Sequence, residues 1–124
     1  MRYVLCILFI LLNGCKEKEF TPVGKTYRLI QSEQPIEISL TFDQDGRFYG
    51  KAVNKYFGVY QINGSEINLN LQGQTMIVGP SVHMAFEDNY FKSLRSIKTF
   101  KINDNILILN GNINYIFKLS DMNE

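Results

Sequence analysis

Between residues 25 and 119 no apolar stretch continues for long, because turn residues cut the pattern at intervals of about ten residues. Such punctuation excludes long helices and coiled coils and points to an antiparallel sheet or barrel. Ile36, Ile38, Leu40 and Phe42 alternate with Glu37, Ser39, Thr41 and Asp43, a period of two that places the four large apolar groups on one face. Residues 26–30 form the first expected strand. After Asp43-Gln44-Asp45-Gly46 a further strand begins over residues 47–53, so a hairpin closed by a glycine at positive φ is expected there. Asn63-Gly64-Ser65 joins residues 57–62 to 67–71, and Asn103-Asp104-Asn105 and Asn110-Gly111-Asn112 separate three closing segments, 97–102, 106–109 and 113–119.

One segment breaks the alternation. Val82, Ala85, Phe86, Phe91, Leu94 and Ile97 recur at helical intervals, which predicts a helix over about residues 82–95, introduced by Pro80 and Ser81. Glu87 and Asp88 are expected to face solvent near its amino end, while Lys92, Arg95 and Lys98 gather at its carboxyl end in the sense that the helix dipole favours. The apolar stripe needs a partner, and the concave face of the sheet is the large one available. The expected fold is therefore mainly β (α+β): a small antiparallel sheet or barrel of about seven to eight strands with one helix packed against it.

The amino terminus reads as an address. Met1 and Arg2 precede an apolar run over residues 3–12, then Asn13, Gly14 and Cys15, the order of a secretory signal whose apolar part is too short to span a bilayer of roughly 30 Å as a helix. Leu12-Asn13-Gly14-Cys15 resembles a bacterial lipoprotein box, which implies removal of residues 1–14, lipidation of Cys15 and a tether over residues 15–24 ahead of a domain spanning residues 25–120. More than one acyl chain on Cys15 would anchor the chain stably, since each buried CH₂ contributes about 0.8 kcal/mol. Lys16-Glu17-Lys18-Glu19 partly resembles the acidic signals that send some Bacteroidetes lipoproteins to the cell surface. A lipid anchor in the outer membrane, on the periplasmic face or the cell surface, is the expected location.

Charge limits the partners. The chain has 13 Lys+Arg and 12 Asp+Glu, and loss of Arg2 with the signal leaves 12 against 12, a neutral domain without the clustered basic surplus that nucleic acid requires. With Cys6 removed, Cys15 is the single remaining cysteine, so no disulfide supports the fold and an apolar core has to suffice.

Catalysis needs a constellation that this sequence does not spell out. His83 is the single histidine, without a serine, acid or second metal ligand in a recognisable motif beside it. Asp43, Asp45 and Gly46 lack the ligand spacing and distal glutamate of a calcium loop, and Glu87 and Asp88, as helix neighbours, point about 100° apart and do not share a site. No catalytic residue, metal or cofactor is assigned, and the chain is read as a non-enzyme. The polar and aromatic stretch Asn54, Tyr56, Gly58 and Tyr60, with Lys55 and Phe57 between, is either a partner contact or architecture, with Gly58 permitting a bulge, Asn54 satisfying a turn, and Phe57 and Tyr60 in the core.

Residues 50–60, the segment Thr75-Met76-Ile77-Val78-Gly79-Pro80 and the helix ending in Phe91-Lys92-Ser93-Leu94 resemble the META/HslJ domain family over nearly the whole mature chain. The family's first motif is matched at Gly50, Asn54, Tyr56, Gly58 and Tyr60 and its second at Thr75 and Pro80, whereas the cysteine of each motif is replaced, by Val53 and by Gly79. The resemblance implies a small antiparallel β structure with one helix and an envelope or stress-associated role, with no catalytic residues to carry over. Two functional readings follow: a membrane-anchored module that binds a protein, peptide or lipid-like partner, or a carrier of a small hydrophobic ligand in a pocket lined by Phe48, Phe57, Phe86, Phe91 and Phe117. The oligomeric state is left open.

Overall fold

Residues 21–31 and 33–120 are described by the structure, a computed structural model; the expected signal segment, Cys15 and the first part of the tether lie outside the described residues. Eight strands follow the punctuation of the sequence: β1 (Lys25–Leu29), β2 (Ser39–Phe42), β3 (Arg47–Lys51), β4 (Lys55–Asn63), β5 (Glu66–Gln74), β6 (Thr99–Asn103), β7 (Ile106–Asn110) and β8 (Tyr115–Leu119). Each pairs antiparallel with its sequence neighbour, and β1 pairs with β8 through Tyr27 opposite Leu119, so the sheet closes into a barrel in chain order. Closure removes the free edges that an open sheet would leave. The expected turns are in place, with Gly46 at φ 89° and Gly64 at φ 65°. Asp43 Oδ1 adds a local clamp by accepting Asp45 N–H at 2.8 Å and Arg47 N–H at 2.9 Å.

Alternation fills the interior. Tyr27, Leu29, Ile38, Leu40, Phe42, Phe48, Tyr56, Ile67, Leu69, Leu107, Leu109, Tyr115 and Phe117 are all buried in one core. Each large apolar side chain removed from water there contributes about 1.5–3 kcal/mol.

The wall is thinnest between β5 and β6, which share the single register pair Glu66–Thr99, flanked by Ile67 N–H to Lys98 O at 2.9 Å and Phe100 N–H to Ser65 O at 3.0 Å. The helix α1 (Ser81–Leu94) belongs to this connection. It stoppers one end of the barrel: the Tyr90 ring stands 5.7 Å from Tyr56 of β4 and 5.4 Å from Tyr115 of β8, strands on opposite sides of the closed wall. The buried face of α1 is Glu87, Tyr90, Phe91, Ser93 and Leu94. This corrects the expected stripe at its amino end, where Val82 and Ala85 are exposed and Phe86 is only partly buried. Glu87 is also corrected: it is 2% exposed, whereas Asp88 does face solvent and pairs with Lys92 at 3.1 Å.

Candidate functional site

The two sequence motifs meet through Asn54 and Thr75, where the β3–β4 turn touches the β5–α1 loop. Gly50 and Gly58 are there because nothing larger fits: a Cβ at Gly50 would lie 2.0 Å from Ser39 O and 2.7 Å from Tyr56 Oη, and one at Gly58 would lie 2.1 Å from Asn70 O. The gap at Gly50 admits the Tyr56 hydroxyl, which donates to Ser39 O at 2.5 Å. Since a phenol has one proton, the 2.6 Å contact between the two tyrosine hydroxyls has Tyr90 donating to Tyr56. Burial raises the pKa of both hydroxyls, and for Tyr90 the bond it donates to Tyr56 raises it further. The β4–β5 register slips between Phe57 and Gly58, the bulge that the glycine permits.

Beside this aromatic cluster, Asn54 is buried and every polar atom of its side chain is used. Its Oδ1 accepts Thr75 Oγ1–H at 2.8 Å and Ile77 N–H at 2.5 Å, and its Nδ2 donates to Ile77 O at 3.1 Å and to Glu87 Oε1 at 3.0 Å. The Asn54 backbone N–H donates to Glu87 Oε2 at 2.6 Å, so both carboxyl oxygens of Glu87 accept from one residue. One asparagine thus ties β4, the β5–α1 loop and α1 together. Buried polar groups are costly when unpaired and rigidifying when fully paired, and here the pairing is complete.

The consequence lies outside. Asn54 grips the backbone of Ile77 and leaves the loop's apolar side chains in solvent, with Met76 84%, Ile77 58%, Val78 85% and, at the start of α1, Val82 65% exposed. Exposed apolar groups scattered singly need no explanation, but here four stand on one short segment held in place by a buried network.

Of the four residues singled out in the sequence as a contact or as architecture, Asn54, Tyr56 and Gly58 are buried, and Tyr60 is partly buried with its hydroxyl donating to Asp43 O at 2.5 Å. Asn54 holds the loop, Tyr56 bonds Ser39 O, and Tyr60 reaches the β2–β3 turn at the opposite end of the barrel; the outward members of the stretch are Lys55 and Phe57. Phe57 is thereby removed from both the core and the supposed pocket: about half exposed, its ring covers Gly73, where a Cβ would come within 2.6 Å of Phe57 Cζ. Phe48, Phe91 and Phe117 pack in the core, and the larger clefts lie on the outer wall, one lined by Gln61, Asn68 and Arg95, others by Arg28, Ile36 and Glu37. His83 is partly buried in the first turn of α1, and among the described residues no group of His, Cys, Asp and Glu is placed to hold a metal. No described helix is long and apolar enough to cross a membrane. Sequence reasoning missed Glu87, Thr75 and Ile77 as members of the site, although Thr75 stood in the second motif.

Comparison with known proteins agrees with this fold. The family model described as META domain matches residues 21–121. A protein from Burkholderia xenovorans solved by NMR superposes with a TM-score of 0.67 at 16% identity, covering 85% of this chain and 92% of that one. A second protein solved by NMR gives 0.60 at 16% identity, over 82% of this chain and 93% of the other. A DUF4847 family protein from Bacteroides vulgatus gives 0.52 at 23% identity, over 65% of this chain and 57% of that one. At such identities the likeness shows the fold alone. Among curated proteins none matches.

Proposed function

The chain belongs to the META domain family, and from that membership we propose that it is a non-enzymatic lipoprotein, anchored through Cys15 in the outer membrane of the cell envelope, whose barrel binds a protein, peptide or lipid-like partner. The observation that carries this reading is the clamp of Asn54 on Ile77, which spends a buried, fully satisfied polar network on holding exposed apolar side chains outward. The lipoprotein box at residues 12–15 supports the anchor. A working surface of this kind needs neither nucleophile nor cofactor.

The test has two arms. Metabolic labelling with a palmitate analogue is expected to mark the wild-type protein and not Cys15→Ser, with the label in the membrane fraction. A photo-crosslinker at Val78 is expected to capture a partner in intact envelopes, whereas one at Asp104, in the β6–β7 turn at the other end of the barrel, does not. Unlabelled native protein in the cytosol contradicts the anchor, and equal capture from both positions contradicts the surface.

A further inference from the structure

The exposed loop has cationic neighbours. Lys55 N–H donates to Thr75 Oγ1 at 3.1 Å and Thr75 N–H returns to Lys55 O at 3.0 Å, so Lys55 stands directly beside the loop that Asn54 holds. Across the strands Lys55 opposes Lys51, Lys51 opposes Ser39, Ser39 opposes Arg28 and Arg28 opposes Lys118. One register row thus carries four cations over five neighbouring strands. Like charges directly opposite each other weaken a sheet, yet the barrel keeps two such pairs.

Four carboxylates are placed at the other end of the barrel. Asp43 and Asp45 in the β2–β3 turn, Glu66 at the β4–β5 turn and Asp104 in the β6–β7 turn occupy the opposite end of the barrel, where the chain also enters through Gly24 N–H bonded to Phe42 O. On the loop's side, Glu87 is bonded by Asn54 and Asp88 by Lys92, and Glu33 and Glu37 stand in the β1–β2 connection, where Glu37 lines clefts shared with Arg28, Lys51 and Lys118, so Lys55 is the cation of the row farthest from a carboxylate of that connection.

We propose that this end of the barrel docks on an anionic phospholipid surface: Met76, Ile77, Val78 and Val82 enter the boundary between headgroups and acyl chains, and the Lys51 and Lys55 ammonium groups lie on lipid phosphates. Charge complementarity selects the occupant, and shape selects a membrane over a protein. The apolar side chains protrude from a loop and do not line a groove, so they suit a fluid plane that needs no matching contour, and the long lysine stems let their charges settle at headgroup level. Five strands are more than half of an eight-stranded wall, so a plane that meets the loop touches the Lys55–Lys51 end of the row while Arg28 and Lys118 curve away. The inference rests on the loop being the working face and is independent of the anchor at Cys15.

All eight strands, α1 and the closing β1–β8 pairs lie within residues 21–120, so a fragment of residues 21–124 contains the complete barrel and lacks the lipid site. Flotation of this fragment with phosphatidylcholine vesicles, with and without phosphatidylglycerol, tests the proposal. The fragment is expected to float with phosphatidylglycerol-containing vesicles only, and less so as salt is raised. Lys51→Gln with Lys55→Gln is expected to weaken partitioning about thirtyfold, from the usual contribution of each surface cation. Met76→Ser with Val78→Ser is expected to weaken it roughly tenfold or more. All four side chains are exposed, so neither variant should melt below the wild type, and loss of the Lys51–Lys55 repulsion should raise the melt of the lysine variant slightly. Equal binding to both vesicle types, wild-type binding by the lysine variant, or no flotation at all overturns the proposal. An acidic protein captured at Val78 with no flotation does so too, and leaves the anchored module standing.

Discussion

A Cβ built on Gly79 lies 3.5 Å from Cγ1 of Val53, although 26 residues separate the two in sequence. These are the positions where the family resemblance places a cysteine in each of its two motifs, so the barrel retains the proximity without the thiols. Val53→Cys with Gly79→Cys is expected to form a disulfide on oxidation, because the approach matches the few ångströms between Cβ and the partner sulfur that the bond requires. Closing a loop of this length stabilises by about 3–4 kcal/mol in the chain-entropy model. The melting temperature of the oxidised double variant should rise by about 10 °C or more and fall back with a thiol reductant. Mass spectrometry showing two free thiols after oxidation would refute the proximity.

Asn54 and Glu87 should behave as one unit. Asn54→Ala removes the partners of Glu87 Oε1 and of both polar groups of Ile77, while the backbone N–H to Glu87 Oε2 remains, a loss of about 2–4 kcal/mol. Glu87→Ala leaves the Asn54 N–H without its 2.6 Å partner. Removal of both is expected to cost less than the sum of the single losses by about 1–3 kcal/mol, read from urea denaturation of the four members of the cycle. Strict additivity would show that the two residues do not share a network.

The two glycines of β4 and β5 should differ sharply. At Gly58 an added methyl meets backbone, Asn70 O at 2.1 Å, together with the buried Phe48 ring; at Gly73 it meets Phe57, whose half-exposed ring has room to swing away. Gly58→Ala is expected to cost about 2–3 kcal/mol or to prevent folding, and Gly73→Ala less than about 1 kcal/mol. Comparable thermal melts for the two variants would contradict the bulge geometry.

Alkaline pH should unfold the barrel. Burial pushes the Tyr27 hydroxyl up to about 12 and raises those of Tyr56 and Tyr90 well above the ordinary value. A group whose pKa is raised by folding binds its proton more tightly in the native state, so its contribution is fully present below the unfolded value, about 10, and is lost as pH climbs above it. The melting temperature is expected to hold up to about pH 9.5 and to fall beyond pH 10, with tyrosinate absorbance appearing in step with unfolding. Full ionisation of all six tyrosines of residues 21–120 in a still-folded barrel would contradict the buried cluster.

The barrel was legible in the sequence because its strands are half-buried: Ile36, Ile38, Leu40 and Phe42 alternate cleanly, and Gly46 and Gly64 mark turns that need positive φ. Within β4 the same rule assigns Tyr56, Gly58 and Tyr60 to one face and Phe57 to the other, and an aromatic on the outer face carries no warning in its residue type. Glu87 was misread for a comparable reason. Charge predicts solvent, and the exception depends on an asparagine 33 residues away whose amide and backbone N–H replace water. The stripe of α1 then shifts onto Glu87, Tyr90, Phe91 and Leu94, and Val82 is left outside with the loop.

Hydrogen exchange of the anchored protein in native envelope vesicles, compared with the same protein in neutral detergent, tests the central claim that the clamped loop is the surface this barrel works with. Membrane-dependent protection of the amides of residues 76–82 and of Lys55, with the turns at Asp45 and Asp104 unchanged, is the predicted result. Protection confined to those acidic turns, with the loop exchanging equally in both settings, would contradict it.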